Sequence, residues 1–291
     1  MFYQYLLIAL VAFFCESIDS SLGMGYGTIL TPVLLFLGFD PLEVVPLVLF
    51  SEFITGVSSA FMHHRRGNVN LSKGSRELKV AVILAGCGIF GTISAAFLAL
   101  NVFSTTFIKG YIAILLLIIG TGTFLTTRHR QIFSWKKIFI LGSIASFNKG
   151  LSGGGYGPLV TGGQILAGLK GKNAIGITSL AEGLTCLVGV MAYSLLNSSQ
   201  INWYLGIAIL MGALLSIPIS VNIVKILKEK TIKRIISISL LTLGMLTLYQ
   251  TFSLWQNFSG IMLSILIILI IIIFLWQSGR AKKSINSVQE N

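Results

Sequence analysis

A glycine-rich segment occurs twice in this chain at one fixed separation. Residues 23–27 (GMGYG) are matched 130 positions later by residues 153–157 (GGGYG), and the same separation pairs Glu52 with Glu182 without a gap. Each copy interrupts an apolar run. Matched interruptions in the two halves of a membrane protein are the best sequence indication of a transporter's binding site. The repeat therefore favours a fold of two related halves that meet at broken helices.

The composition is typical of a membrane protein. Hydrophobic residues make up 54% of the 291 residues and charged residues only 10%, whereas soluble domains contain about 25% charged residues. Several apolar runs approach the ~20 residues that are needed to cross a hydrocarbon core of ~30 Å. The most apolar run, at residues 260–276, predicts a helix that faces lipid.

The net charge of +12 is distributed in a way that indicates membrane topology and not a nucleic-acid partner. Of the 21 Lys and Arg residues, 19 fall in five clusters, at residues 65–79, 128–137, 170–172, 225–234 and 280–283. Because cytoplasmic loops collect Lys and Arg, these clusters are expected on the cytoplasmic side of the membrane. The start of the chain has no cationic signal-peptide region, so we expect it to be retained in the first helix.

Placing the basic loops inside predicts an all-α membrane protein made of two inverted repeats of about five helical segments each. The predicted parts are a first repeat at residues 1–127, a second at 128–257, an additional transmembrane helix at 258–279 and a cytoplasmic tail at 280–291. Because each repeat contains an odd number of segments, the second copy enters the membrane with the opposite orientation. The charges agree, because the loop at 63–79 is basic while its equivalent at 193–209 is uncharged. The N-terminus is then outside and the C-terminus is cytoplasmic.

The first two segments of each repeat are expected to be short. About 12 residues of helix at 1.5 Å each reach only ~18 Å, which is less than the hydrocarbon thickness. They are either half-helices that dip to the midplane or tilted spans joined by unwound chain. Irregular backbone at that depth requires either packing within the protein or a wet cavity.

The two glycine segments are predicted to form paired turns at the centre of the protein. Glycine allows positive φ, and the N–H groups that begin the following helix favour an anion. The Gly-x-x-x-Gly spacing also fits tight helix packing, which is the alternative use of these glycines. The candidate substrate-binding residues are Lys149 and the turn residues Gly23, Gly25, Tyr26, Gly27, Ser152, Gly153, Gly154, Gly155, Tyr156 and Gly157.

Ionisable residues inside apolar segments are functional candidates by default. Lys149 precedes the second glycine segment, and its equivalent in the first half is Asp19. The two could form an ion pair; alternatively, Lys149 binds an anionic substrate while Asp19 or Glu16 carries a proton. A carboxyl group in low dielectric favours its neutral form, which makes Glu52 and Glu182 candidates for proton coupling. They could equally hold the loose N–H groups of a broken helix.

Other polar residues near the turns could either line a pathway or bond to their own helices, namely Thr31, Thr161, Gln164, Thr178 and Ser179. The three cysteines, Cys15, Cys87 and Cys186, lack metal-ligand spacing and are expected to be reduced and buried.

Residues 150–154 fit the Gly-x-Ser-x-Gly pattern of hydrolases. A serine nucleophile needs a base within hydrogen-bond reach, but His63, His64 and His129 are all expected at cytoplasmic edges. Motifs for a metal, ATP hydrolysis or another cofactor do not occur. We therefore expect neither an enzyme nor a cofactor.

With these features the chain resembles the TauE/SafE family of sulfite-exporter-like permeases. The resemblance covers nearly the whole length and is most specific at residues 17–52 and 148–182, although Met24 stands in place of a third consecutive glycine. It implies a bacterial inner-membrane transporter of small organosulfur anions such as sulfite and sulfonates, with the glycine turns flanking the substrate.

Taken together, these features predict a secondary transporter that moves a small anion by alternating access between the repeats, with a proton as the candidate coupling ion. A passive anion channel and a membrane scaffold without transport are the alternatives. The sequence indicates neither the direction of transport nor the oligomeric state.

Overall fold

The computed structural model describes residues 2–125, 135–166, 169–196 and 202–223, with scattered positions between 238 and 251. These residues form helices and no β-strand. The helices are α1 (Phe2–Leu22), α2 (Tyr26–Phe36), α3 (Pro41–Arg65), α4 (Arg76–Asn101), α5 (Thr105–Leu125), α6 (Trp135–Ser152), α7 (Tyr156–Leu166), α8 (Gly171–Leu196) and α9 (Trp203–Ile223). The all-α prediction is confirmed for this part of the chain. The predicted helix at 258–279 and the tail lie outside it.

Among the described residues, six helices are long and apolar enough to cross a membrane, namely α1, α3, α4, α5, α8 and α9. Large apolar side chains on these helices face outwards and ionisable side chains face the interior, as a lipid environment requires. Phe90 and Leu195 are 81% and 83% exposed, whereas Glu16 and Lys149 are buried. Ionisable side chains in membrane segments are expected to face the interior of the bundle. The chain is therefore a multi-pass membrane protein.

The length of α1 corrects one expectation. α1 contains 21 residues and reaches ~32 Å, so the prediction that the first two segments are both short is wrong for this helix. The polar residues near its end stay helical because their hydroxyls bond one turn back: Ser20 donates to Glu16, and Ser21 to the Ser17 carbonyl. α6 has 18 residues, and only α2 and α7, with 11 residues each, are short.

The helix boundaries follow the sequence repeat. α2 begins at Tyr26 and α7 at Tyr156, which are equivalent positions in the two glycine segments. α3 and α8 also begin at equivalent positions, Pro41 and Gly171, and have nearly equal lengths of 25 and 26 residues. The repeated sequence thus forms repeated local structure.

The packing of α3 against α8 brings together the middles of the two helices. α3 also packs on α9, α1 packs on α9, and α4 packs on α6 and α8. At the crossing of α3 and α8, a Cβ on Gly56 would lie 2.8 Å from the Ser179 carbonyl oxygen, and one on Gly183 would lie 3.0 Å from the Val57 nitrogen. Small residues at a membrane helix crossing allow such close approach of the backbones. Glu52 and Glu182 lie within about one turn of this crossing.

Candidate functional site

Each glycine segment forms a turn between a long helix and a short one. Gly23 and Gly153 have φ values of +67° and +69°, a region that residues with a Cβ rarely occupy. Their N–H groups donate to equivalent carbonyls one turn back, to Asp19 at 2.6 Å and to Lys149 at 2.8 Å. Both glycines thus end a helix with the same backbone hydrogen bond, and the turn follows.

The two turns lie directly against each other. The Thr161 hydroxyl donates to the Gly23 carbonyl at 2.7 Å, and the Gly155 N–H donates to the Thr28 hydroxyl at 3.0 Å. A Cβ on Gly27 would overlap the carbonyl oxygen of Gly153. The glycines therefore serve the tight packing that the sequence left as an alternative, and they bring the two short helices to one point.

A buried ion cluster lies beside this contact. Lys149 is fully buried and its Nζ bridges two carboxylates, donating to Glu182 Oε1 at 2.8 Å and pairing with Glu52 Oε2. Glu52 Oε1 also accepts a bond of 3.2 Å from the N–H of Gly27 at the start of α2. One glutamate thus links the ammonium group to the N-terminus of a short helix.

Lys149 pairs with residues other than its equivalent in the repeat, Asp19, whose pairing with it was one of the alternatives. Lys149 bonds to Glu52 and Glu182 and makes no ion pair with Asp19. Asp19 Oδ1 instead accepts a long bond of 3.4 Å from the N–H of Tyr26. Equivalence in the repeat identifies matching positions, but side-chain contact depends on where α3 and α8 cross, and the crossing brings the two glutamates to the lysine.

Acidic groups outnumber basic groups in this cluster. In the described part of the chain, Glu16, Asp19, Glu52 and Glu182 are buried near a single buried ammonium group, that of Lys149. The carboxyl groups are close enough to one another for their charges to interact. Burying an uncompensated charge is strongly unfavourable, so the surplus carboxylates require protons or another cation.

Protein groups bind several N–H groups of the turns in this conformation. The N–H groups of Tyr26 and Gly27 are bound by carboxylates, whereas those of Gly154 and Gly155 are bound by the hydroxyls of Ser152 and Thr28. The carboxylates of Asp19 and Glu52 therefore occupy the positions at the start of α2 that an anion would favour.

The space between the turns is small. A cavity of about 10 Å³ is lined by both turns and by α5 side chains, including Thr28, Ser152, Gly155, Ile112 and Leu115. A cavity needs roughly 10–15 Å³ to hold one water. An anion the size of sulfite can enter only when the turns move apart.

The remaining candidate residues surround the turns. Thr178 Oγ1 accepts a bond of 2.9 Å from Gln164 and lies 2.9 Å from Thr161 Oγ1, so these three form one network, whereas Ser179 donates to the carbonyl of Ile175 in its own helix. The Thr31 hydroxyl is buried without a hydrogen-bond partner.

The aromatic and hydrolase-like candidates are also buried near the turns. Tyr26 and Tyr156 are fully buried; the Tyr26 hydroxyl lies 2.7 Å from Ser51 Oγ, and Tyr156 OH has no partner. The Ser152 hydroxyl donates to the Asn148 carbonyl at 2.7 Å, a local bond within its helix end. The expectation of free, buried cysteines is confirmed for Cys15, Cys87 and Cys186.

The sequence analysis missed one buried polar group, His63. We expected it at a cytoplasmic edge, but it is fully buried, and its Nε2 lies 2.8 Å from the Ser20 carbonyl oxygen. The adjacent arginines suggested a solvated loop. The signal that could have revealed it is the spacing of Glu52, Thr55, Ser59 and His63, which places four polar residues on one helix face.

Comparisons with known proteins indicate the family of the chain. A model of the family described as "Sulfite exporter TauE/SafE" matches residues 8–247. The chain is also similar to the "Probable membrane transporter protein YtnM" of Bacillus subtilis (strain 168), with 27% identity over 239 residues, which cover 76% of this chain and 75% of the relative. No solved structure matches the chain significantly.

Proposed function

The chain belongs to the sulfite exporter TauE/SafE family of membrane transporters, and from that premise we propose that it carries a small anion, sulfite or an organosulfonate, across the bacterial inner membrane by alternating access. The observation that supports this most directly is the buried Lys149, held by two carboxylates beside two packed glycine turns. A lysine in the membrane interior is a candidate for binding an anionic substrate.

The substrate anion takes the place of carboxylates that now occupy the site. Glu52 binds both Lys149 and the N–H of Gly27. When Glu52 is protonated, it loses the charge that favours both bonds, and the ammonium group and the start of α2 become available to an anion. Protonation of Glu52 and anion binding then favour each other.

This exchange couples the anion to a proton. The cluster holds more carboxyl groups than cations, so a bound anion requires additional protons to avoid a further uncompensated negative charge. In this scheme Glu52 is the first residue to carry the coupled proton. Glu182 and Asp19 share the remaining negative charge of the cluster. Anion and proton move in the same direction.

Two inverted repeats provide the alternating access. The helix starts match across the 130-residue separation, and equivalent loops carry opposite charge character, which supports an inverted second copy. The N-terminus is then outside and the C-terminus is cytoplasmic. The water-sized cavity between the turns favours a carrier that must rearrange over a passive channel.

Uptake by the purified protein in liposomes tests this function. Sulfite and a small sulfonate are supplied with and without a pH gradient, and a gradient that leaves both rates unchanged removes the proton from the mechanism. Lys149→Gln is expected to abolish uptake while the protein remains folded, because the substrate loses its cation. Unchanged uptake in this variant would overturn the assignment of the site.

A pair of glycine variants provides the matched control. Gly155 has a φ of +78°, and a Cβ there would lie 3.1 Å from Leu115 Cδ2, whereas a Cβ on Gly162 in α7 would meet no atom within 4 Å. Gly155→Ala is therefore expected to abolish uptake and Gly162→Ala to retain it. Equal rates in the two variants would contradict a role for the second turn in transport.

A further inference from the structure

One face of α3 carries a line of buried polar side chains that the proposed site does not use. Thr55, Ser59 and His63 follow Glu52 at intervals of three or four residues, so all four lie on the same side of the helix. Each is no more than 3% exposed. The line extends ~16 Å along the helix axis, from the ion cluster to the end of α3.

α1 faces this line with two polar residues. The Ser20 hydroxyl donates to Glu16 Oε1 at 2.6 Å, and the Ser20 carbonyl lies 2.8 Å from His63 Nε2. The Thr55 hydroxyl lies beside the Glu16 carboxyl group. α1 and α3 thus enclose a polar seam, which we define as Glu16, Ser20, Thr55, Ser59 and His63.

Three oxygen atoms of the seam make no hydrogen bond of normal length to a protein group, although the Thr55 hydroxyl and the Glu16 carboxyl group lie near each other. They are Glu16 Oε2, Thr55 Oγ1 and Ser59 Oγ. Buried polar atoms in proteins are nearly always bonded to protein or to ordered water, and a buried water typically bonds to about three such atoms. The spacing of the three atoms along one face is suited to a short file of water molecules between His63 and Glu16.

The second half repeats one bond of the seam. Tyr193 occupies the position equivalent to His63, and its hydroxyl donates to the Gly150 carbonyl at 2.8 Å. Gly150 is the equivalent of Ser20, so the same backbone carbonyl is bound in both halves. However, a tyrosine replaces the histidine, and Ser146 replaces Glu16. The second half therefore keeps the structural bond without the groups that exchange protons near neutral pH.

The second half also has no free space at two positions that are equivalent to residues of the seam. Gly150 and Gly189 replace the two serines of the seam. A Cβ on Gly150 would lie 2.9 Å from Ala95 Cβ, and one on Gly189 would lie 2.8 Å from Leu49 Cδ1. Neighbouring helices fill the space that the seam occupies in the first half. At Gly150 and Gly189 the second half therefore has no space equivalent to that of the two serines, although the Thr185 hydroxyl, equivalent to Thr55, is also buried without a hydrogen-bond partner.

We propose that the seam is the proton route between the solution at the His63 end and the carboxyl groups of the ion cluster. This inference rests on the proton-coupled transport proposed above and adds the path by which the proton arrives. Glu16 is the residue that receives the proton, and its charge interacts with those of Asp19 and Glu52. The proton therefore reaches the cluster without crossing the contact between the glycine turns.

His63 has the hydrogen bonds that a relay at the entrance requires. Asn68 Nδ2 donates to His63 Nδ1 at 3.0 Å, so the ring is neutral and carries its proton on Nε2, towards Ser20. When the Asn68 amide turns, Nδ1 accepts a proton from solution and Nε2 releases its own into the seam. Each hydroxyl then accepts one proton and passes on another, and the last proton binds a Glu16 carboxylate oxygen. His63 is neutral before and after the step.

The groups at the cluster end of this route are mostly acidic, which favours a proton there, whereas the basic residues His64, Arg65 and Arg66 follow His63 at the other end. At the His63 end, α8 contributes Gly176 and the following loop contributes Asn68. At the cluster end, the titratable groups are Glu16, Asp19 and Cys15 of α1, Tyr26 of α2, Glu52 of α3, Lys149 of α6, and Glu182 and Cys186 of α8.

Cysteine labelling tests hydration of the seam without any substrate. Thr55→Cys and its equivalent Thr185→Cys are made in a protein whose three native cysteines are replaced by alanine, and each is treated with a small cationic methanethiosulfonate. Thr185 packs against Gly88 of α4, so its cysteine is expected to react slowly. Thr55→Cys should react at least tenfold faster. Equal rates, or a slower reaction at position 55, would overturn the proposal.

Transport measurements then separate the relay from a structural role. In His63→Gln, the amide can still donate to the Ser20 carbonyl but does not titrate. With sulfite as the probe, uptake driven by a pH gradient should fall at least tenfold, while sulfite–sulfite exchange, which needs no net proton movement, should stay within twofold. Tyr193→Phe should leave both within twofold. An equal loss of both activities in His63→Gln would make the residue structural and refute the relay.

These two experiments distinguish failure of the inference from failure of the proposed function. If the wild-type protein carries sulfite in neither mode, the proposed substrate is wrong, while the labelling contrast still decides whether the seam is hydrated. If the wild type transports sulfite and the labelling rates are equal, the transport function stands and the seam is refuted.

Discussion

The two glycine turns begin alike, at Gly23 and Gly153, but different chemical groups bind N–H groups at different positions within them. At the first turn, Tyr26 and Gly27 donate to the carboxylates of Asp19 and Glu52. At the second turn, Gly154 and Gly155 donate to neutral hydroxyls. A carboxylate gains or loses a proton near physiological conditions when it is buried, whereas a hydroxyl does not. In the described bonds, the first turn is held by ionisable acceptors and the second turn, at positions that are not equivalent, by neutral hydroxyls.

In the proposed mechanism, this difference makes the first half of the site the one that changes during transport. Protonation weakens the bonds at the first turn, so α2 is the helix whose N-terminus becomes free for an anion. We propose that the second turn, where hydroxyls bind the N–H groups of Gly154 and Gly155, provides the fixed side of the site. Lys149 belongs to the fixed half but bonds to glutamates from both α3 and α8, so it joins the two halves.

The largest effect is expected from the pair of equivalent ionisable residues, Lys149 and Asp19. Lys149→Met removes the partner of two buried carboxylates and should lower the free energy of unfolding by about 3–5 kcal/mol. Asp19→Asn removes one of the surplus acids and keeps an oxygen for its long bond to Tyr26, so the change should be about 1 kcal/mol or less. Thermal unfolding in detergent measures both. Equal losses would show that the lysine and the aspartate contribute alike to the cluster.

The next effect concerns the glycines at the contact of the turns. A Cβ on Gly27 would overlap the Gly153 carbonyl, and one on Gly157 would lie 2.6 Å from the Gly23 carbonyl. Forcing a methyl group into packed backbone costs about 1–3 kcal/mol or more, so Gly27→Ala should be the more destabilising of the two. Denaturation midpoints in detergent provide the measurement. A Gly27→Ala protein as stable as wild type would contradict the packing of the turns.

Local features of the fold were predictable because they depend on neighbouring residues. The 130-residue separation correctly matched the starts of α2 and α7, and the apolar runs predicted the long helices. The length of α1 was not predicted, because Glu16 and Ser20 in its last turns suggested an end to the apolar segment. Those side chains bond to each other within the helix and are buried by neighbouring helices, which sequence periodicity alone does not show.

The site was predictable in its members more than in its contacts. Lys149, Glu52 and Glu182 were singled out because charges are rare in apolar segments. Their pairing depends on the glycine crossing of α3 and α8, which is a tertiary feature. His63 was missed for the same reason, since its burial depends on α1, whereas the arginines next to it in sequence suggested solvent.

The two glutamates allow a sharper test of the comparison between the turns. Wild-type uptake should be fastest at low pH, where Glu52 is protonated and the start of α2 is free, and should fall as Glu52 ionises at higher pH. Glu52→Gln is permanently neutral and should remove this fall, which changes the ratio of rates across the pH range at least tenfold. Glu182→Gln should keep the wild-type profile, because Glu182 bonds to Lys149 but not to α2. If the two variants have identical pH profiles of uptake, then uptake depends equally on the charges of Glu52 and Glu182, and the two turns do not differ in this respect.

The smallest effect is expected from two equivalent threonines. Thr161 donates to the Gly23 carbonyl at 2.7 Å, whereas the equivalent Thr31 hydroxyl is buried with no partner. Thr161→Val should lower stability by about 1–2 kcal/mol because it leaves a buried carbonyl unbonded, and Thr31→Val should be neutral or slightly stabilising because it removes an unbonded hydroxyl. The difference in thermal midpoint between these isosteric variants is the measurement. If Thr31→Val proves to be the more destabilising variant, the Thr31 hydroxyl has a polar partner in the membrane. The turn bound by hydroxyls and the turn bound by carboxylates would then differ less than their hydrogen bonds indicate.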